Sequence, residues 1–313
     1  MQTARRSVVT IGAYDGVHIG HRQVIEAVRR LAAGQGLESV VVTFDRHPAA
    51  VVRPESAPKL LCDLDQKLEL LAVTGVDRVV VIGFDEARAN EPAEEFVDEV
   101  LVEQLSAALV VVGRDFHFGK GRGGDVALLE QMGAERGFQV VPFALVPDPV
   151  TGSIVSSTEI RRLIVGGELG EAARLLGRPH EVRGPTIRVA AGHDGSAEPS
   201  VMAGAFCADV PPEILRPPPG IYPVLAGFAS SGASEPLAPV ASRAVVPADE
   251  SAPVEVTPFG RLEEATAGRL ERVIAGRWDG STDPAPVASA PGSDRLVVRD
   301  RRVARVLFSE GAL

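Results

Sequence analysis

The sequence predicts an α/β protein, a doubly wound parallel sheet followed by a smaller, mostly β domain. Short β-branched apolar runs alternate with helix-period segments through roughly the first 180 residues, the pattern of right-handed βαβ units. The polar, glycine-bearing motifs fall just after those runs, where ligands of such sheets bind. From about Glu181 the composition changes to strand-like pieces between stretches rich in Pro, Gly, Ala and Ser.

Taken in order, residues 8–11 (Val-Val-Thr-Ile) read as a buried parallel strand. Residues 22–31 read as the helix after it, with Val24, Ile25, Val28 and Leu31 inward. Further buried strands are expected at 39–44, 78–82, 108–112 and 139–141, with amphipathic helices at 64–73, 93–105 and 126–136. Two closing helices, 157–165 and 169–176, are broken at Gly166-Gly167, and Gly177-Arg178-Pro179 ends the second. The first domain is therefore expected at 1–181 and the second at 182–313. In the second, 220–225 and 295–298 are strand-like, 263–274 is helical, and 217–220 and 281–286 are turns or loops. Its strand order is not legible, and no internal repeat is evident.

A chain of 313 residues has room for two cores, and 45% hydrophobic with 24% charged residues is a globular composition. The net charge of −10 argues against nucleic acid as the main partner. The two cysteines, Cys62 and Cys207, lie outside any metal-ligand spacing and suit a reducing compartment. No secretory core precedes the first strand, and no run approaches a membrane span, so a cytoplasmic protein with no membrane partner is expected. The oligomeric state is not legible. Basic residues are nearly all arginine; the only lysines are Lys59, Lys67 and Lys120.

The most informative segment is Gly12-Ala13-Tyr14-Asp15-Gly16-Val17-His18-Ile19-Gly20-His21, a glycine-bearing turn between the first strand and its helix. Backbone N–H groups at the helix start face any anion in the turn, and His18 and His21 stand beside them. Two histidines there also suit a plain capping role. After the second strand come Phe44-Asp45-Arg46-His47-Pro48, a polar cluster at the ligand side that is also common at ordinary strand ends. After the fourth come Gly113-Arg114-Asp115-Phe116-His117-Phe118-Gly119-Lys120, where glycines admit a ligand to the backbone and aromatics can wall a planar ring. A solvated loop is the alternative. Ser156-Ser157-Thr158-Glu159-Ile160-Arg161 opens a helix; its hydroxyls cap that helix, and Arg161, one turn on, can fork onto phosphate oxygens.

The His-x-Gly-His turn resembles the signature of the HIGH-type nucleotidyltransferases. With the four motifs and Lys67-Leu68-Glu69-Leu70-Leu71 in order, residues 7–180 resemble the FMN adenylyltransferase module of the prokaryotic FAD synthetases, which usually also carry a C-terminal riboflavin kinase. That resemblance implies transfer of AMP from ATP to FMN with release of pyrophosphate. It implies that His18, His21 and Arg161 are catalytic, and that Gly12, Tyr14, Asp15, Gly16, Ser156, Ser157 and Thr158 hold nucleotide and phosphate. It further implies that Phe44, His47, Pro48, Asp115, Phe116, Phe118 and Gly119 form the flavin or adenine pocket. ATP and FMN are the implied partners, with Mg²⁺ held mainly through phosphates and no protein ligand assigned.

The second domain departs from that pattern. Residues 186–208 contain no Pro-Thr-Ala-Asn motif, and Glu255 is the nearest counterpart of the family's catalytic glutamate. The resemblance therefore implies a degenerate kinase-like barrel without riboflavin phosphorylation. Three other readings stay open: an enzyme with both activities, a nucleotidyltransferase with a changed acceptor or triphosphate, and a non-catalytic flavin or nucleotide binder. All four motif segments lie before residue 182, so a chain ended near Glu181 is expected to keep FAD synthesis if it stays soluble.

Overall fold

The computed structural model describes residues 6–145, 147–148, 150–188, 206–229, 240–258, 287–289 and 303–308. The chain divides into two compact units. The first comprises Met1–Pro58, Leu64–Ser156 and Thr282–Asp294, and the second Lys59–Asp63, Ser157–Ser281 and Arg295–Leu313. The two closing helices expected with the first sheet thus group with the second unit.

The first unit is built on β1 (Ser7–Ile11), β2 (Glu38–Phe44), β3 (Arg78–Ile82), β4 (Ala107–Gly113) and β5 (Gln139–Phe143). These run parallel in the order β3-β2-β1-β4-β5, so β1 is central and the order reverses between β1 and β4. The late strand β11 (Val287–Ser289) adds a sixth parallel strand beside β3. It falls just past residues 281–286, where the sequence reads as loop.

Alternate residues of each strand feed two cores. On one face, Val8 and Val41 pack with α1 (Ile19–Gln35) and α3 (Leu64–Ala72), which bury Ile25, Val28 and Leu71. On the other, Val9, Ile11, Val40 and Val42 pack with Phe96, Val97, Val100 and Leu101, and with Leu129 and Met132 of α6 (Val126–Arg136). Each fully buried side chain of this size contributes about 1.5–3 kcal/mol. A short helix not expected from sequence, α2 (Pro48–Val52), follows β2, and α4 (Glu86–Ala89) follows β3. The expected helix at 93–105 forms as α5 (Ala93–Phe96) and continues as a π-helix over Val97–Gln104.

The second unit contains α7 (Ser157–Val165), α8 (Leu169–Leu176) and a closed antiparallel barrel. Its strands are β6 (His180–Arg188), β7 (Phe206–Ala208), β8 (Gly220–Ala229), β9 (Val240–Val246), β10 (Val254–Pro258) and β12 (Val303–Phe308), in the order β10-β7-β6-β12-β8-β9. The expected strand at 220–225 is the first part of β8. The expected helix at 263–274 and strand at 295–298 lie outside the described residues. Lys59–Asp63 joins this unit from the N-terminal half. The Leu60 amide donates to the Glu213 carbonyl at 2.7 Å, and the Leu215 amide donates to Leu60 at 2.8 Å.

Strand β6 buries charge on one face, where Arg183 Nε donates to Glu181 Oε1 at 2.7 Å. On its other face His180 is buried, bonded through Nε2 to the Leu215 carbonyl at 2.9 Å and facing the Phe308 ring. Burial lowers the His180 pKa to about 4, opposed by the bond to Leu215. The neutral ring is the folded form, so the unfolded chain takes up an extra proton once the pH falls below about 6.5. Stability from this group is full above that value and is lost progressively down to about pH 4, a fall of about 3 kcal/mol. In denaturant unfolding between pH 6.5 and 4, His180→Gln should reduce the pH slope by close to one proton. An unchanged slope would remove His180 as its source.

Candidate active site

The site begins where β1 ends. The Gly12 amide donates to Val42 O at 3.1 Å, and the chain then turns through Tyr14 and Val17, both at positive φ (50° and 38°). For a β-branched residue such as Val17 that is a strained conformation, which persists only where the surroundings over-determine it. The Tyr14 ring is buried, with its hydroxyl 2.8 Å from Thr10 Oγ1. Desolvation raises the Tyr14 pKa well above the usual phenol value. The ring thus braces the turn from within the core. Asp15 is buried beside it.

His18 is the N-cap of α1, and its Nδ1 accepts from the His21 amide at 3.3 Å. Accepting at Nδ1 leaves the ring proton on Nε2, a donor. The two imidazoles stack with centroids 3.6 Å apart, and Tyr14 meets His21 edge-on at 5.0 Å. A Cβ at Gly20 would stand 3.3 Å from the His18 ring and 3.2 Å from the Val155 carbonyl, so a side chain here would have to push its neighbours by a few tenths of an ångström. His18 thus does cap the helix, and the stacking shows that capping is not the whole of the arrangement.

His21 carries the clearest chemical signal. Its Nδ1 is buried and has no hydrogen-bond partner among the described residues. Its pKa is held well below the usual imidazole value, first by burial, then by His18 and Lys67. A buried polar atom without a partner is costly in a folded protein and asks for one. An anionic ligand beside the ring would offset the field of the Lys67 ammonium, which disfavours the charged imidazole.

Sequence reasoning placed Lys67 in the Lys67-Leu68-Glu69-Leu70-Leu71 segment of the family resemblance but assigned it no role. In the structure it is only 7% exposed, and its Nζ donates to the Phe44 carbonyl at 2.6 Å and to the Ala13 carbonyl at 3.3 Å. Its signal in the sequence was that segment. Thr43 Oγ1 donates to the same Ala13 carbonyl at 3.2 Å.

Beyond β2, Asp45 Oδ1 accepts from the amides of Arg46 and Phe84, each at 2.8 Å, and the Phe44 and Phe84 rings meet edge-on. His47 caps α2 by accepting from the Ala49 amide at 3.1 Å, and Pro48 opens that helix. Beyond β4, the exposed Asp115 leads into Phe116 and Phe118, whose rings stack 5.5 Å apart and pack partly on the core. Phe118 and Gly124 exchange amide bonds of 3.0 and 2.9 Å, so the segment is a pinned hairpin and not a free loop. A Cβ at Gly119, which has φ 70°, would fall 2.7 Å from Ala93, and only glycine fits.

The structure therefore brings His18, His21 and Tyr14 together. The loops that follow β2 and β4 leave the carboxyl ends of the same parallel sheet. Ser156 closes a segment of the first unit, directly after the Val155 carbonyl that approaches Gly20. Ser157, Thr158 and Arg161 open α7 in the second unit, where Arg161 Nε donates to the Lys59 carbonyl at 2.6 Å.

Comparison with known proteins agrees with this architecture. A profile of the FAD synthetase family matches residues 1–159. A bifunctional riboflavin kinase/FMN adenylyltransferase of Pseudomonas fluorescens is 38% identical over 183 residues, 58% of this chain and 58% of that protein. Proteins of the same name from Escherichia coli K12 and Listeria monocytogenes are 35% and 37% identical, covering 58% of this chain and 57% and 56% of their own. The match thus spans under two thirds of these relatives' length. A crystal structure titled macrolide-efflux protein, from Streptococcus pneumoniae, shares the fold with a TM-score of 0.65 and 21% identity, over 98% of this chain and 85% of that one. With the stacked histidines of the first turn lying inside the matched region, this chain belongs to the FAD synthetase family.

Proposed function

We propose that this chain transfers AMP from ATP to FMN, forming FAD and releasing pyrophosphate. The observation that carries the reading is the His18–His21 stack at the start of α1. An FMN phosphate oxygen attacks the α-phosphorus of ATP as the bond to pyrophosphate breaks. That oxygen is already anionic, so no strong general base is needed, and catalysis is alignment and charge neutralisation. His18 Nε2–H and His21 act on the triphosphate, together with amides at the start of α1. Ser156, Ser157, Thr158 and Arg161 take the outer phosphates. Gly12, Asp15 and Gly16 shape the turn, which Tyr14 braces. Phe44, His47, Pro48, Asp115, Phe116, Phe118 and Gly119 form the flavin and adenine pockets.

Among the described residues, no three His, Cys, Asp or Glu side chains gather as a metal site. The donors present are imidazoles, amides and hydroxyls, which suit phosphate oxygens. Mg²⁺ would accompany the triphosphate and neutralise charge on it. Among the described residues no helix is long and apolar enough to cross a membrane.

The barrel is proposed to lack riboflavin kinase activity. Glu255, its nearest glutamate counterpart, stands exposed on β10, while 189–205 lie outside the described residues. The test is to incubate pure protein with Mg²⁺, each of the four nucleoside triphosphates and either FMN or riboflavin, then separate the flavins. FAD from FMN and ATP is expected, with no FMN from riboflavin. A different dinucleotide would move the reading to a changed triphosphate, and no dinucleotide from folded protein would sink it.

A further inference from the structure

We propose that Lys67 is a positioning residue for nucleotidyl transfer: from α3 it ties the carboxyl end of β2 to the turn after β1, and so fixes the segment that carries His18 and His21. The inference rests on the function proposed above and adds a residue to it.

The geometry is that of a clamp. One ammonium donates to Phe44, the last residue of β2, and to Ala13, the residue before the strained Tyr14. Thr43 adds a second bond to the Ala13 carbonyl. Tyr14 in turn meets the His21 ring and bonds Thr10 of β1. Any slack at Ala13 would pass through Tyr14 to the imidazoles, and misplacement of reacting groups by about an ångström can cost on the order of 10²-fold in rate.

A structural tie alone would not call for a charge. Burying an ammonium is expensive, and a neutral donor could bond a carbonyl at lower cost. Here the ammonium acts on His21 together with His18, while the un-ionised Tyr14 meets the same ring edge-on and Asp15 is buried next to Tyr14 in the turn. Its field adds to burial and His18 in keeping His21 neutral until an anion arrives. Lys67 thus holds the pair in place and in one protonation state.

Three variants of the full chain separate these roles. Lys67→Met removes both donor and charge, Lys67→Gln keeps a donor, and Lys67→Arg keeps the charge. The readouts are kcat and KM for FAD formation, and the NMR titration of the His21 ring in the free protein. Lys67→Met should lower kcat about tenfold or more, with KM for FMN within about twofold of the parent. The His21 titration should move to higher pH in Met and Gln but stay near the parent in Arg, which should also recover most of kcat. Should the Met variant not fold, Gln carries the same comparison. A folded Met or Gln variant with kcat within about twofold of the parent, or with an unmoved His21 titration, overturns the proposal. If the parent itself forms no FAD, the functional reading fails, while the His21 titration still decides whether Lys67 governs that ring.

Discussion

Replacing His21 by alanine should lower FAD formation by on the order of 10²-fold or more while leaving FMN affinity close to the parent's. Its proposed partner is the triphosphate and not the isoalloxazine, and removing one preorganised donor commonly has an effect of that size. The structure adds a reason to expect a clean result. His21 Nδ1 has no partner to orphan in turn, and the helix cap depends on the His21 amide, which alanine retains. Combining His18→Ala with His21→Ala removes that cap as well, worth about 1 kcal/mol of stability, so the double variant should be folded but less stable. Turnover by single-time-point flavin separation, paired with FMN binding followed by fluorescence, checks both halves. Near-normal turnover in the double variant would reject the assignment of the site.

Ending the chain at Glu181 should abolish soluble, folded protein, in contrast to what the arrangement of motifs in the sequence suggests. The truncated chain would keep α7 and α8 but lose the barrel strands of their unit. Ile160, Leu163, Ile164, Leu169, Ala172, Leu175 and Leu176 are all buried on those two helices. The loss would also leave Leu60 without its bonds to Glu213 and Leu215, and His180 without Leu215 and Phe308. Each of those side chains that the barrel strands cover would be exposed at a cost of about 1.5–3 kcal/mol, against a stability of about 5–15 kcal/mol for a typical domain. Soluble yield and a thermal melt of the truncated chain provide the measurement. A cooperatively melting fragment that makes FAD would show that the first unit stands alone.

Much of the first unit was legible because its physics is local. The strands β1 to β4 are continuous apolar runs, as expected of strands buried on both faces, and α1 and α6 end in left-handed Gly36 and Gly137. Where tertiary contacts decide, the sequence was silent. Residues 93–105 have the apolar spacing of one regular helix, and nothing in them marks the change to π geometry at Val97. Pro48 read as the end of the polar motif after β2, and nothing in 49–52 marked the short helix that His47 caps.

The barrel was harder because its partners are remote: β6 pairs with β12, more than a hundred residues later. Strands such as β9, Val-Ala-Ser-Arg-Ala-Val-Val, alternate too weakly to stand out. In the site, the histidine pair was legible because its spacing and its glycines are local to one turn. The Lys67 clamp was not, because both of its acceptors are backbone carbonyls contributed by other elements.

The way the two units alternate along the chain bears on how such a protein can diversify. Read from the N-terminus, ownership passes from the first unit to the second at residue 59, back at 64, across again at 157, back at 282 and across at 295. A single recombination breakpoint anywhere from 59 to 294 would therefore part some segment from the sheet or barrel it completes. Neither unit of this protein can be exchanged as one continuous stretch of chain; a change confined to the barrel would have to arise by substitution within it.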